Sequence, residues 1–117
     1  MGDLSPHFSR HEFACRCGCG FDDISPELVQ VLEHARTEFS APVVINSACR
    51  CAQHNRAVGG ASASQHLLGT AADIVIKGVP PAQVADYFEG RYPDKYGIGR
   101  YKSFTHIDVR SQRARWA

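Results

Sequence analysis

At 117 residues, with 44% apolar and 21% charged residues, the chain is expected to form one domain (residues 1–117) with a real core and no room for a second. A net charge of +1 carries no polyanion-binding footprint, so no nucleic-acid partner is expected. Residues 1–9 (MGDLSPHFS) have neither a basic n-region nor an apolar h-region, and no run reaches the roughly 20 apolar residues of a membrane span, so neither a leader nor membrane insertion is expected.

Residues 1–23 read as an irregular, cysteine-containing segment, with Phe8 and Phe13 pinning it to the domain. Ser25-Pro26 reads as a helix start, and Leu28, Val31, Leu32, Ala35 and Phe39 then recur on one helical face. That helix stops before Pro42, and residues 43–46 (VVIN) read as a buried strand. A short helix is expected over residues 51–58, ended by Gly59-Gly60, with a loop over residues 61–68. Residues 73–76 (DIVI) read as the next strand. Pro80-Pro81 with Ala82, Val84, Ala85 and Phe88 predicts a third helix. Gly97 to Tyr101 and residues 105–109 are the last strands expected. There are no internal repeats, and the order of elements implies an α+β fold. Arg110, Arg113 and Arg115 read as a solvated basic tail, with contact to an anionic polymer as the sharper alternative.

The five cysteines fall in two clusters, Cys15, Cys17 and Cys19 in CRCGC and Cys49 and Cys51 in CRC. An odd count leaves at least one thiol outside any intramolecular disulfide. A clip between the clusters, made by disulfide or by a thiolate-bound metal, competes with a set of reduced, packed thiols. Alternating C-x-C is not the usual C-x-x-C metal spacing, which ranks the metal below the other two.

The chemistry-bearing pattern is SASQHLLGTAAD followed much later by FTHIDVR. His66, Asp73 and His106 would supply two imidazoles and one carboxylate, a donor set suited to a catalytic zinc with one position left open. His66 and Asp73 are not at the i, i+4 spacing of a helical pair. A loop-to-strand arrangement, with Gly69 turning the chain back, fits better. Strand alternation over residues 105–109 puts His106 and Asp108 on one face and Ile107 and Val109 on the other. A hydrogen-bonded polar cluster without metal is the competing reading. His7, His11, His34 and His54 read as ordinary surface or satisfied histidines.

The segment INSACRCAQHNRAVGGASASQHLLGTAADI resembles the M15 metallopeptidases of the hedgehog/D-Ala-D-Ala peptidase superfamily. Ser64, His66, Gly69, Ala71 and Asp73 match that family's S-x-H-x-x-G-x-A-x-D signature. Ser47 and Arg50 match the preceding S-G-x-R-like turn, with Ala48 in place of Gly. GIGRY, HIDVR and the opening HFSRHEFACRCGCG look like the branch of phage and bacterial peptidoglycan peptidases. The resemblance implies a small, mostly antiparallel sheet packed with helices and carrying a zinc site.

By the same resemblance, Zn2+ is held by His66, Asp73 and His106. Asp108 is then the general base or a group orienting a ligand, and as the base its change to Asn should keep zinc and lose most turnover. Arg50 faces the substrate, and Ser64 and Gln65 shape the site. An E-x-x-H base, found in another branch of the family, is absent. The implied substrate is peptidoglycan peptide, cut at a D-Ala terminus or, as the compact chain favours, in a cross-link. The protein is expected to act as a monomer, made in the cytoplasm without a signal peptide and brought to the cell wall as a phage lysin would be. The rival reading is a non-catalytic zinc-binding module of hedgehog-like fold that binds cell wall or a protein partner. A disulfide-rich secreted binding domain is weaker still, since it would need a leader and an even cysteine set.

Overall fold

The computed structural model describes residues 3–60 and 64–117. From residue 3 to the first helix the chain is irregular, as expected, apart from a bridge between Ser5 and Phe8 and a 3-10 turn at Arg10–Phe13. Phe8 and Phe13 are fully buried, with ring centroids 5.9 Å apart. Glu33 ties this segment to the domain, accepting hydrogen bonds from Ser5 Oγ at 2.6 Å and from the His7 backbone N–H at 2.7 Å.

Helix α1 (Pro26–Phe39) starts with proline at its first position, where a missing N–H costs nothing. Ser25 occupies the cap position, but its side chain makes no capping hydrogen bond. Leu28, Val31, Leu32 and Ala35 are buried, and Phe39 packs against the same core. Each fully buried leucine contributes about 1.5–3 kcal/mol, so Leu32→Ala should cost about 2–5 kcal/mol once its cavity is counted.

The sheet is formed by β1 (Val43–Ser47), β2 (Ala71–Ile76), β3 (Gly97–Arg100), β4 (Thr105–Asp108) and β5 (Ala114–Trp116). Its spatial order is β1-β2-β4-β3-β5. Every pairing is antiparallel except β3 with β5. Helix α2 (Ala52–Ala57) follows β1, and α3 (Pro81–Arg91) crosses from β2 to β3.

The period of two sorts the side chains. Ile45, Ala72, Ile74, Ile76, Ile98 and Ile107 join the core under α1 and α3. Their alternates Asp73, His106 and Asp108 face the other way. The register places Asp73 opposite His106 and Asp108 between Ala71 and Gly97. The fold is thus α+β, with α1 and α3 on one face of a mostly antiparallel sheet and polar chemistry on the other.

Three local expectations need correction. β1 is an edge strand, not a buried one, and its Val44 is 51% exposed. Gln65–Leu68 is a 3-10 helix rather than loop, while residues 61–63 of the expected loop lie outside the described residues. Of the basic tail only Arg113 is exposed to solvent, whereas Arg110 and Arg115 are engaged by the fold. Arg110 clamps Asp108, and Arg115 donates to the carbonyls of Tyr92 and Tyr96, both at 2.7 Å. This folds the end of the chain back as β5. No helix among the described residues is long and apolar enough to cross a membrane.

Candidate metal centre

His66 reaches the polar face from the 3-10 turn. Ser64 Oγ accepts the His66 backbone N–H at 3.2 Å and starts that turn. Gly69 ends it with φ 70°, and a Cβ there would lie 2.1 Å from the Asp23 carbonyl. Only glycine fits both conditions, and this returns the chain to β2 so that Asp73 faces His66.

The donor atoms of His66, Asp73 and His106 all lie within 4.8 Å of one another, and all three residues are buried. Nδ1 of His66 donates to the Ala48 carbonyl at 2.7 Å, since a carbonyl can only accept. Its Nε2 therefore carries the free lone pair, 3.3 Å from Asp73 Oδ1. His106 places Nδ1 2.9 Å from Asp73 Oδ1 and Nε2 2.7 Å from Asp108 Oδ2. The two imidazoles meet edge to face, with centroids 5.2 Å apart.

Burial pushes the Asp73 carboxyl up, but the His106 and His66 imidazoles beside it, His106 first, outweigh it and hold it well below the usual carboxylate range. Burial alone would lower His106, yet Asp108 and Asp73 on its two nitrogens raise it. Two imidazole nitrogens and one carboxylate oxygen converging in a buried trio could hold a metal ion between them. The expected metal-ligating residues are thus brought together.

Asp108 is fully buried behind His106. Its carboxylate accepts from Gly97 N–H at 3.1 Å and from Arg110 Nε and Nη2 at 2.7 and 2.8 Å. A Cβ at position 97 would strike that carboxylate, which is why the residue opposite is glycine. Burial raises the Asp108 carboxyl, but His106 and Arg110 overcome it, so the group stays ionised.

The trio opens onto a cleft of about 950 Å³. Arg50 lies in its wall, donating to Ser47 Oγ, Asn55 Oδ1 and Asp73 Oδ2 at 3.3, 3.0 and 3.3 Å. Gln65 and Ser64 also line it, and Thr70 Oγ1 donates to Gln65 Oε1 at 2.9 Å. Arg16, Tyr101, Phe104, Arg110 and Trp116 line it too, and none of these was expected from the sequence. Trp116 arrives on β5, its ring 5.0 Å from that of His106 and its Nε1–H donating to Tyr101 Oη at 2.9 Å. A sequence signal for this wall existed in the alternate glycines of GIG, which leave room for something to lie across the strand.

A family model described as Peptidase M15 matches residues 6–108. The chain belongs to the M15 peptidases. No curated protein matches it. M15 peptidases are zinc-dependent metallopeptidases, so a metal and a peptide substrate come with membership. The residues fit that metal: a buried N, N, O set facing a cleft is the donor chemistry of a three-ligand zinc site with an open position. The fold agrees as well, being an α+β sheet of mostly antiparallel strands.

Proposed function

We propose that this M15 peptidase hydrolyses peptide bonds in bacterial peptidoglycan, in the cross-links more readily than at a D-Ala terminus. The observation that carries the reading is the cleft. The trio of His66, Asp73 and His106 lies in the wall of an open trough bordered by Arg16, Arg50 and Arg110 and by Tyr101, Phe104 and Trp116. Stem peptides are short, carboxylate-bearing and part of a network. Guanidinium groups recognise carboxylates bidentately, and an open trough admits a branched polymer.

Zinc, when bound by His66, Asp73 and His106, supplies a Lewis acid and brings the pKa of water toward neutrality. His66 is held with Nε2 inward by the Ala48 carbonyl. Asp108 does the same for His106, fixing its tautomer from behind. Arg50, beside Asp73, presents positive charge where the oxyanion of a tetrahedral intermediate would develop. Asp108 is a positioning residue in this reading, because its carboxylate is fully buried and engaged by His106, Gly97 and Arg110. Proton transfer falls instead to His54. It lines the cleft, and Tyr101 is the other lining residue there that could exchange a proton, once the trio and the arginines are set aside.

The test is muropeptide release from purified Gram-negative sacculi, with and without chelator, for wild type and His66→Ala. Chelator-sensitive release that His66→Ala lacks supports the reading, and the fragments name the bond cut. Folded, zinc-loaded protein that releases nothing overturns it in favour of a binding module.

A further inference from the structure

The sulfur atoms of Cys15, Cys17, Cys19 and Cys51 lie within 4.8 Å of one another. The Sγ–Sγ separations are 3.4 Å for Cys15–Cys17, 3.6 Å for Cys17–Cys51 and 3.9 Å for Cys15–Cys51. All five cysteines are free. A disulfide needs a bond of about 2.05 Å, whereas a thiolate tetrahedron with zinc–sulfur bonds of about 2.3 Å has edges of about 3.8 Å. The three separations bracket that edge.

We infer that Cys15, Cys17, Cys19 and Cys51 form a second, structural zinc site, distinct from the trio in the cleft. The local chain is arranged for sulfur ligands. The backbone N–H of Cys51 donates to Cys15 Sγ and that of His54 to Cys51 Sγ, both at 3.4 Å. Such N–H···S bonds stabilise thiolates. The loop from Cys15 turns back on itself, with Gly18 N–H on the Cys15 carbonyl at 3.2 Å and Cys15 N–H on the Phe21 carbonyl at 2.7 Å. That turn is what lets three cysteines at alternate positions converge, despite a spacing that reads poorly as a metal motif. Binding displaces the four thiol protons to solvent and leaves a formal double negative charge. Arg16 and Arg50 each lie next to a ligand in sequence and offset it.

The fifth cysteine explains the odd count. Cys49 is buried in the hydrophobic core, and its thiol is pushed up to about 11 by burial and by the nearby Asp22 and Asp23. It is a packed thiol, not a ligand. Four thiolates would staple residues 15–19 to the loop after β1, beside the backbone contact of Cys49 N–H to the Phe13 carbonyl at 3.0 Å. The staple also fixes both cleft arginines, since Arg16 and Arg50 sit between cysteines in the two CRC triplets.

Metal analysis of protein purified under reducing conditions with zinc tests the site without reference to peptidase activity. Wild type should carry two equivalents and His66→Ala one. That remaining equivalent should be lost in His66→Ala combined with Cys17→Ser and Cys19→Ser. Cobalt-loaded His66→Ala should show thiolate-to-cobalt charge-transfer absorption, which a site of imidazole and carboxylate cannot give. Should the serine variants fail to fold, mercurial titration of wild type should still release zinc as the four thiols react. Failure of the cleft site would leave one thiolate-bound equivalent in wild type. The inference is overturned if His66→Ala binds no metal, or if mass spectrometry of the native protein finds these cysteines paired as disulfides.

Discussion

The Asp108 carboxylate lies 2.7 Å from Nε2 of His106 and turns that ring's other nitrogen toward Asp73. A proton acceptor must exchange with the cleft, whereas an orienting group need only be rigid. Asp108 is fully buried and held by Arg110 from behind, the state of an orienting group. Asp108→Asn should therefore weaken zinc binding about 10- to 100-fold, read by competition with a chromophoric chelator. At saturating zinc it should retain measurable turnover. Unchanged zinc affinity with turnover abolished would restore the role of base, the other of the two that the family resemblance allows.

Arg50 is aimed by three acceptors, Ser47, Asn55 and Asp73, and its planar fork serves them from different nitrogens. A lysine cannot reproduce that geometry. Arg50→Ala is expected to lower kcat by about 10²–10³-fold, the usual loss when an oxyanion donor is removed, and Arg50→Lys to recover little of it. Zinc content should be unchanged in both. A rise in KM alone would instead make Arg50 a clamp for a substrate carboxylate.

Much of the candidate metal centre was legible because its signals are local. Proline at the first turn of α1 and α3, glycine at position 69, and alternation through His106, Ile107 and Asp108 each act within a few residues. The cleft wall was not. β5 is three residues long, too short for any period to register, and it exists because β3 accepts it in parallel while Arg115 binds the carbonyls of residues 92, 95 and 96. The edge position of β1 is likewise a property of the sheet and not of VVIN. A clip between the cysteine clusters was legible only as one alternative among three, since Cys51 meets Cys15 only through the fold.

Gly69 carries the turn between two expected ligands. Its φ of 70° already disfavours any side chain, and an added Cβ would strike the Asp23 backbone. Gly69→Ala is expected to destabilise the protein by about 1–3 kcal/mol, measured as a lowered denaturation midpoint, and to reduce zinc affinity by moving His66. A variant of wild-type stability would show that the loop before α1 gives way without cost.

Glu33 gives the N-terminal segment a pH dependence. Burial raises its carboxyl, but hydrogen bonds from Ser5 and His7 outweigh it, so its folded value lies below the ordinary 4.5. A depressed carboxylate contributes stability that is fully present above its unfolded value and is lost as pH falls through the folded one. The stability gap between wild type and Glu33→Gln should thus be full above about pH 4.5 and close as pH falls below it. A gap independent of pH would mean that Glu33 acts by shape and not by charge. Denaturation curves at several pH values decide it.

Trp116 is the one tryptophan of the chain, and it lies against the candidate metal centre. Its ring is 5.0 Å from that of His106, and the Arg110 guanidinium sits 5.4 Å from its centroid. A divalent cation bound at His106 places charge beside the indole and changes its emission. Zinc added to the apoprotein should shift or quench tryptophan fluorescence with one transition for the cleft site, and His106→Ala should abolish that transition. Binding at the four cysteines should leave the signal unmoved, so His66→Ala loaded with zinc should also be silent. A fluorescence change that survives both histidine substitutions would place the responding metal elsewhere and separate Trp116 from the centre it borders.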